Sequence, residues 1–174
     1  MKSQPRFNTK YLIPAMMFFI LGACIFATLA LAIFYVYRIE ELHNAIRNDD
    51  INRVEQLLDK KPHLIEQRSR LDLTPLLEAA WDGRADVIRV LVHRGADLNA
   101  KWNLVASGDG GWNALHIASL HGQEDAAKVL IESGIDINCK SIKGETPLDV
   151  ANRNGQKKIA SLLQQHGAKT GDAR

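Results

Sequence analysis

Thr74-Pro75-Leu76-Leu77-Glu78-Ala79-Ala80 organises this chain, because the same stretch comes back twice. It returns as Asn113-Ala114-Leu115-His116-Ile117-Ala118-Ser119 and as Thr146-Pro147-Leu148-Asp149-Val150-Ala151-Asn152. Seven residues beyond each key leucine stands a glycine, Gly83, Gly122 and Gly155, and twelve further on stands another, Gly95, Gly134 and Gly167. The second set opens the segments Gly95-Ala96-Asp97-Leu98-Asn99 and Gly134-Ile135-Asp136-Ile137-Asn138. A worn first copy runs through Leu42-His43-Asn44-Ala45, with Val54, Leu57 and Leu58 where Ile88, Leu91 and Val92 stand in the next copy. The leucines Leu42, Leu76, Leu115 and Leu148 step by 34, 39 and 33 residues.

Each recurring residue has a physical reason. Thr74 and Thr146 suit a helix N-cap, and Pro75 and Pro147 suit the first helical position, where a missing N–H costs nothing. Leu76, Ala79, Leu115, Ala118, Leu148 and Ala151 recur at helical spacing and form the inner packing seam. Gly83, Gly122 and Gly155 suit a left-handed turn between paired helices, and the later glycines suit the end of the second helix. One such unit cannot bury its apolar face alone, so neighbours must stack to complete the core. Asp97, Asp136, Asn99 and Asn138 read as turn residues whose side chains bond local backbone.

These residues at these spacings resemble the ankyrin repeat family, over about residues 40–168. The resemblance implies a repeat made of a turn and two antiparallel helices. It also implies that His116, and His43 in the first copy, brace backbone between repeats. The first copy has Asp49 in place of the inter-helix glycine, and Lys61-Pro62 where later copies begin with glycine. Lys157, Lys158, Gln164 and Gln165 give the last copy a polar outer surface, as the end of a solenoid requires.

The third copy departs most. Between Asn99-Ala100-Lys101 and Gly111 it carries six more residues than the spacing of its neighbours allows. In ankyrin proteins this connection is a finger-like hairpin beside the concave face, and solenoid insertions go to loops on one face, often the binding face. Trp102 and Trp112 bracket the insertion, and Trp81 ends the first helix of the preceding copy. Leu120-His121 and Arg153-Asn154 occupy the matching positions of the later copies. Tryptophan and arginine are enriched at binding hot spots. The candidate partner-binding residues are therefore Trp81, Asp82, Trp102, Asn103, Leu104, Trp112, Leu120, His121 and Arg153. A second reading stands beside this one, in which Trp102 and Trp112 pack on each other to hold a long hairpin.

Upstream, residues 11–37 run without a charge between Lys10 and Arg38. As a helix this run is about 40 Å long, more than the ~30 Å hydrocarbon core of a bilayer. Tyr11, Tyr35 and Tyr37 lie near its ends, where amphipathic rings favour the interface. Ala30-Leu31-Ala32 has the form of a cleavage site and Leu21-Gly22-Ala23-Cys24 resembles a lipobox, but apolar sequence continues past both. The reading is an uncleaved signal anchor. Lys2, Arg6 and Lys10 before it favour a cytoplasmic N-terminus and an extracytoplasmic repeat domain, periplasmic in a bacterium.

Composition narrows the function. The chain has 22 basic and 20 acidic residues, and removing Lys2, Arg6 and Lys10 leaves 19 against 20. This balance offers no electrostatic footprint for nucleic acid. The two cysteines, Cys24 and Cys139, form no metal-site spacing, and Gly108-Asp109-Gly110-Gly111 lacks the lysine and strand–helix context of a phosphate loop. No nucleophile–base arrangement appears, so no catalytic residue, metal, cofactor or small-molecule substrate is expected. The expected fold class is all-α, an ankyrin-type helical solenoid of about four repeats following a single transmembrane helix. The segments are a basic flank (1–10), the transmembrane helix (11–37), a linker (38–41), the repeat domain (42–169) and a polar tail (170–174). The function this implies is a membrane-tethered adaptor or scaffold for a protein partner, with a folding or protection factor for an exported enzyme as the alternative.

Overall fold

The computed structural model describes Thr28 and residues 40–104 and 109–171. The expected basic flank and transmembrane helix, residues 1–37, lie outside the described residues apart from Thr28. Among the described residues no helix is long and apolar enough to cross a membrane.

Over the described residues from 40 to 171, eight helices alternate in pairs. They are α1 (described over residues 40–47), α2 (Ile51–Lys60), α3 (Pro75–Asp82), α4 (Ala85–His93), α5 (Ala114–His121), α6 (Glu124–Glu132), α7 (Pro147–Arg153) and α8 (Lys157–Gln165). A 3-10 turn, Pro62–Glu66, follows α2 where Lys61-Pro62 replaces the glycine of later copies. The third connection holds a two-stranded antiparallel hairpin, β1 (Trp102–Leu104) and β2 (Asp109–Trp112). Every other element meets the all-α expectation. The hairpin departs from it because six more residues give this finger room for a short ladder, in register Trp102↔Trp112, Asn103↔Gly110 and Leu104↔Asp109.

The first helices start on side-chain caps. The Thr74 hydroxyl accepts from Leu77 N (3.4 Å) with Pro75 next in line. Thr146 accepts from Asp149 N while Asp149 Oδ2 accepts from Thr146 N (2.8 Å), a reciprocal box. Asn113 plays the threonine's part in the middle copy, accepting from His116 N (3.1 Å). Gly83 (φ 70°) and Gly122 (φ 72°) terminate α3 and α5 in the left-handed region, and Asp49 takes the same conformation at φ 56° without glycine's freedom.

Those two glycines also answer to packing. A β-carbon on Gly83 would collide with Gln123 Oε1, and one on Gly122 would sit 2.7 Å from Gln156 Oε1. Gln123 reaches back one repeat to donate from Nε2 to Trp81 O (3.0 Å), satisfying a carbonyl that the end of α3 leaves open. Each glycine thus permits a glutamine to cross from the next repeat.

The first helices α3, α5 and α7 pack side by side in one row, and α4, α6 and α8 form a second row behind them. Leu76, Ala79, Leu115, Ala118, Leu148 and Ala151, the expected seam, are all 2% exposed or less. Ile88 and Leu91, Ala127 and Leu130, and Ile159 and Leu163 back them from the second row. Burying a leucine of this kind contributes about 1.5–3 kcal/mol.

Two expected boundaries shift. Residues 40 and 41, read as linker, are already helical in α1. Glu40 ion-pairs with Arg70 (2.7 Å), and Glu41 with Arg53 and with Lys61 (3.3 Å), so both residues belong to the first repeat. At the other end, Gly171 in the expected tail donates from its backbone N to Asp149 Oδ2 (2.7 Å). Lys169 N donates to Asn138 Oδ1 (2.7 Å) just before it.

Candidate partner-binding site

Trp81, Leu120 and Arg153 hold the same position in the last turn of α3, α5 and α7, and Asp82 and His121 hold the next one. The helix row therefore gathers these side chains at one end of its inner face. From the connection above, Trp102 comes to lie edge-on to Trp81, with centroids 5.4 Å apart and planes at 84°. His121 covers Trp81 from the next repeat at 4.2 Å. Trp112 meets Trp102 edge-on at 6.3 Å and stacks on His116 at 6.0 Å with planes 19° apart. The result is one continuous chain of rings, His121, Trp81, Trp102, Trp112 and His116, spanning two repeats and the hairpin.

The rings differ in access. Trp102 is 7% and Trp112 5% exposed, and the indole N–H of Trp102 is satisfied by Leu71 O (2.8 Å). Both lie packed between the hairpin and the helices. Trp81 is half-buried and His121 exposed, so these two carry the accessible aromatic surface. Edge-to-face pairs of this kind contribute about 0.5–1.5 kcal/mol beyond area burial.

Beside them, Asp82 is half-buried. Burial raises its carboxyl above the ordinary range, the charge of Glu78 adds to this, and Arg84, Arg47 and His121 oppose it. Burial lowers the His121 imidazole, against the pull of Asp82. Leu120 is half-buried against the core. Arg153 is exposed and ion-paired with Glu145, one repeat beyond the rings. Asn103 is exposed, and its Oδ1 accepts from Gly111 N (3.0 Å), bracing the hairpin. Leu104 closes β1 opposite Asp109. The structure thus brings Trp81, Asp82, Trp102, Trp112 and His121 together, and leaves Arg153 apart with Glu145.

The two bracing histidines work differently. His116 is fully buried, and its Nε2 donates to Glu145 O across the repeat boundary (3.0 Å). Its Nδ1 lies 2.7 Å from Asn113 Oδ1 and 3.3 Å from Asn113 N, closing the box at the start of α5. This is a neutral imidazole, and burial lowers its pKa from 6.5 to about 4. His43 also reaches a backbone carbonyl, Gln67 O at 2.8 Å, but its Nδ1 faces the Glu78 carboxylate. Both ring nitrogens of His43 therefore meet oxygen atoms, Gln67 O and Glu78 Oε2. Arg47 Nη1 donates to the other Glu78 oxygen (2.6 Å). Sequence reasoning passed over Glu78. Its signal was internal, since the matching positions hold the aliphatic residues Ile117 and Val150.

Among the described residues no group of three or more His, Cys, Asp or Glu side chains is placed to hold a metal ion. Two family models match the chain. One, for three copies of the ankyrin repeat, matches residues 100–173, and another, for a single ankyrin repeat, matches residues 72–103. These repeats are ankyrin repeats. The ankyrin matches begin after the first copy, whose Asp49 stands where the later copies have glycine. Human ankyrin repeat and KH domain-containing protein 1 is 42% identical over 94 residues, which is 54% of this chain and 4% of that protein. Chicken inversin is 30% identical over 145 residues, 83% of this chain and 12% of inversin. The ankyrin domain described here therefore spans only a small part of the curated relatives it matches.

Proposed function

We propose that this chain is a membrane-tethered protein-interaction module, which binds a protein partner on the concave face of its ankyrin stack. The observation that carries this reading is the Trp81–His121 surface. A half-buried indole and an exposed imidazole stand on the helix row, backed by two packed tryptophans and flanked by a partly desolvated carboxylate. Rigid aromatic anchors with a polar neighbour lose little entropy on binding, which is why such residues dominate interface energetics. Trp81, Asp82 and His121 form the centre of the proposed site. Leu120, Arg153, Asn103 and Leu104 form its margin, and Trp102 and Trp112 hold the anchors in place.

Residues 11–37 supply the tether in this reading, and their 27 uncharged residues are its support. The basic residues before the tether favour an extracytoplasmic domain. Tethering confines the partner search to the membrane surface and raises effective concentration there. Co-purification from membranes tests the site. Trp81→Ala combined with His121→Ala should abolish partner recovery while the circular dichroism of the domain stays unchanged. Full recovery with an intact fold would remove the site assignment.

A further inference from the structure

Around the accessible rings the charges do not balance. Glu78, Arg84, Arg47 and His121 are the charged or titratable neighbours that act on Asp82. Both guanidiniums are already engaged. Arg47 donates to Glu78 Oε1 (2.6 Å) and to Asn44 Oδ1 (2.7 Å). Arg84 donates to Arg47 O (2.7 Å) and faces Asp49 at 3.8 Å. Among the described residues no hydrogen bond or ion pair reaches the Asp82 carboxylate. Three carboxylates, Asp49, Glu78 and Asp82, thus meet two guanidiniums, and Asp82 is the one left over. His121 does not answer it, because burial lowers that imidazole from 6.5 and leaves the ring neutral at pH 7.

This unmatched carboxylate decides what a partner must bring. Asp82 follows Trp81 at the end of α3, and His121 couples to both, to the indole by ring contact and to the carboxylate by charge. A partner seated on the two rings takes further water from Asp82. An apolar group there would strand a desolvated charge, which opposes binding, whereas a cation offsets it. Arginine fits better than lysine. Its planar fork pairs with a carboxylate through two parallel N–H groups, its face stacks on aromatic rings, and its weaker hydration is given up more readily. We propose that the protein partner presents an arginine to this site, its guanidinium paired with Asp82 and stacked on the exposed His121 ring over Trp81. The inference deepens the concave-face reading and rests on it.

The test uses the full chain in phosphatidylcholine nanodiscs, with a phage-displayed library of random dodecapeptides as the probe. Selected peptides should share a recurrent arginine. They should lose binding on Trp81→Ala and, separately, on His121→Ala, while the circular dichroism of each variant stays unchanged. In a synthetic copy of the strongest binder, citrulline in place of that arginine keeps the shape and removes the charge. This change should weaken binding at least about tenfold on the unaltered protein, and less than about twofold on Asp82→Asn. Peptides that need Trp81 and His121 yet share no arginine would overturn the inference and leave the concave-face reading standing. So would a citrulline penalty equal on the unaltered protein and on Asp82→Asn. Peptides indifferent to both ring substitutions, or a selection that yields none, would overturn the concave-face reading and the inference with it.

Discussion

His116 makes the stability of the repeat stack depend on pH, and the dependence has a definite sign. The folded state holds the imidazole neutral, with a pKa lowered from 6.5 to about 4 by burial. The unfolded chain takes up a proton near pH 6.5, so it binds more protons than the folded state as pH falls below that value. Stability is therefore complete above pH 6.5, declines as pH falls, and levels off below about 4. Between about pH 7.5 and pH 5 the loss from this residue comes to about 2 kcal/mol. His121 is also lowered by burial and adds to the loss in the same direction. Wild type is therefore compared with His116→Gln in urea titrations of residues 38–174, followed by tryptophan fluorescence. Glutamine retains a donor for Glu145 O, so the variant should lose about 1 kcal/mol at neutral pH. Its further loss on going to pH 5 should be about 2 kcal/mol smaller than that of wild type. Parallel pH profiles for the two proteins would refute the buried neutral imidazole.

The glycine and cap positions give further expectations, each read by denaturant titration. Gly122→Ala should cost slightly more than Gly134→Ala, by no more than about 1 kcal/mol, because the flexible end of Gln156 can move aside. Both sit at positive φ, which costs about 1–2 kcal/mol, but only the first places a β-carbon against Gln156. Asp49→Gly should stabilise the first repeat by up to about 1 kcal/mol, because its φ of 56° strains any other residue and its ion pair with Arg84 is long and exposed. Thr146→Ala should cost about 1 kcal/mol through loss of the α7 cap. Glu78→Ala should lower stability by about 1–3 kcal/mol, since it strips a hydrogen-bond partner from the buried His43 and leaves Arg47 with Asn44 alone.

The repeat was legible because its chemistry is local. Threonine caps, first-turn prolines and glycines at fixed distances announce helix starts and stops without any tertiary knowledge, and the alanine–leucine seam follows from helical spacing. What the sequence hid is contact across repeats. Gln123 and Gln156 look like ordinary surface residues until their side chains are found over Gly83 and Gly122. Glu78 stands where the later copies have Ile117 and Val150, and it is 4% exposed and completes a network with His43 and Arg47. The three tryptophans were found by composition and spacing, but their separate fates depend on hairpin register. The bulge between Trp102 and Asn103 goes with a pairing of Trp102 to Trp112, and only Trp81 keeps an accessible ring.

The central expectation is that a protein partner meets Trp81 at a membrane. A photocrosslinking amino acid placed at position 81 of the full-length protein tests this directly, with position 157 as the control. Carbonate-washed membranes should yield one discrete protein adduct from position 81 and none from position 157. The same adducts from both positions, or none from position 81, would contradict the proposal.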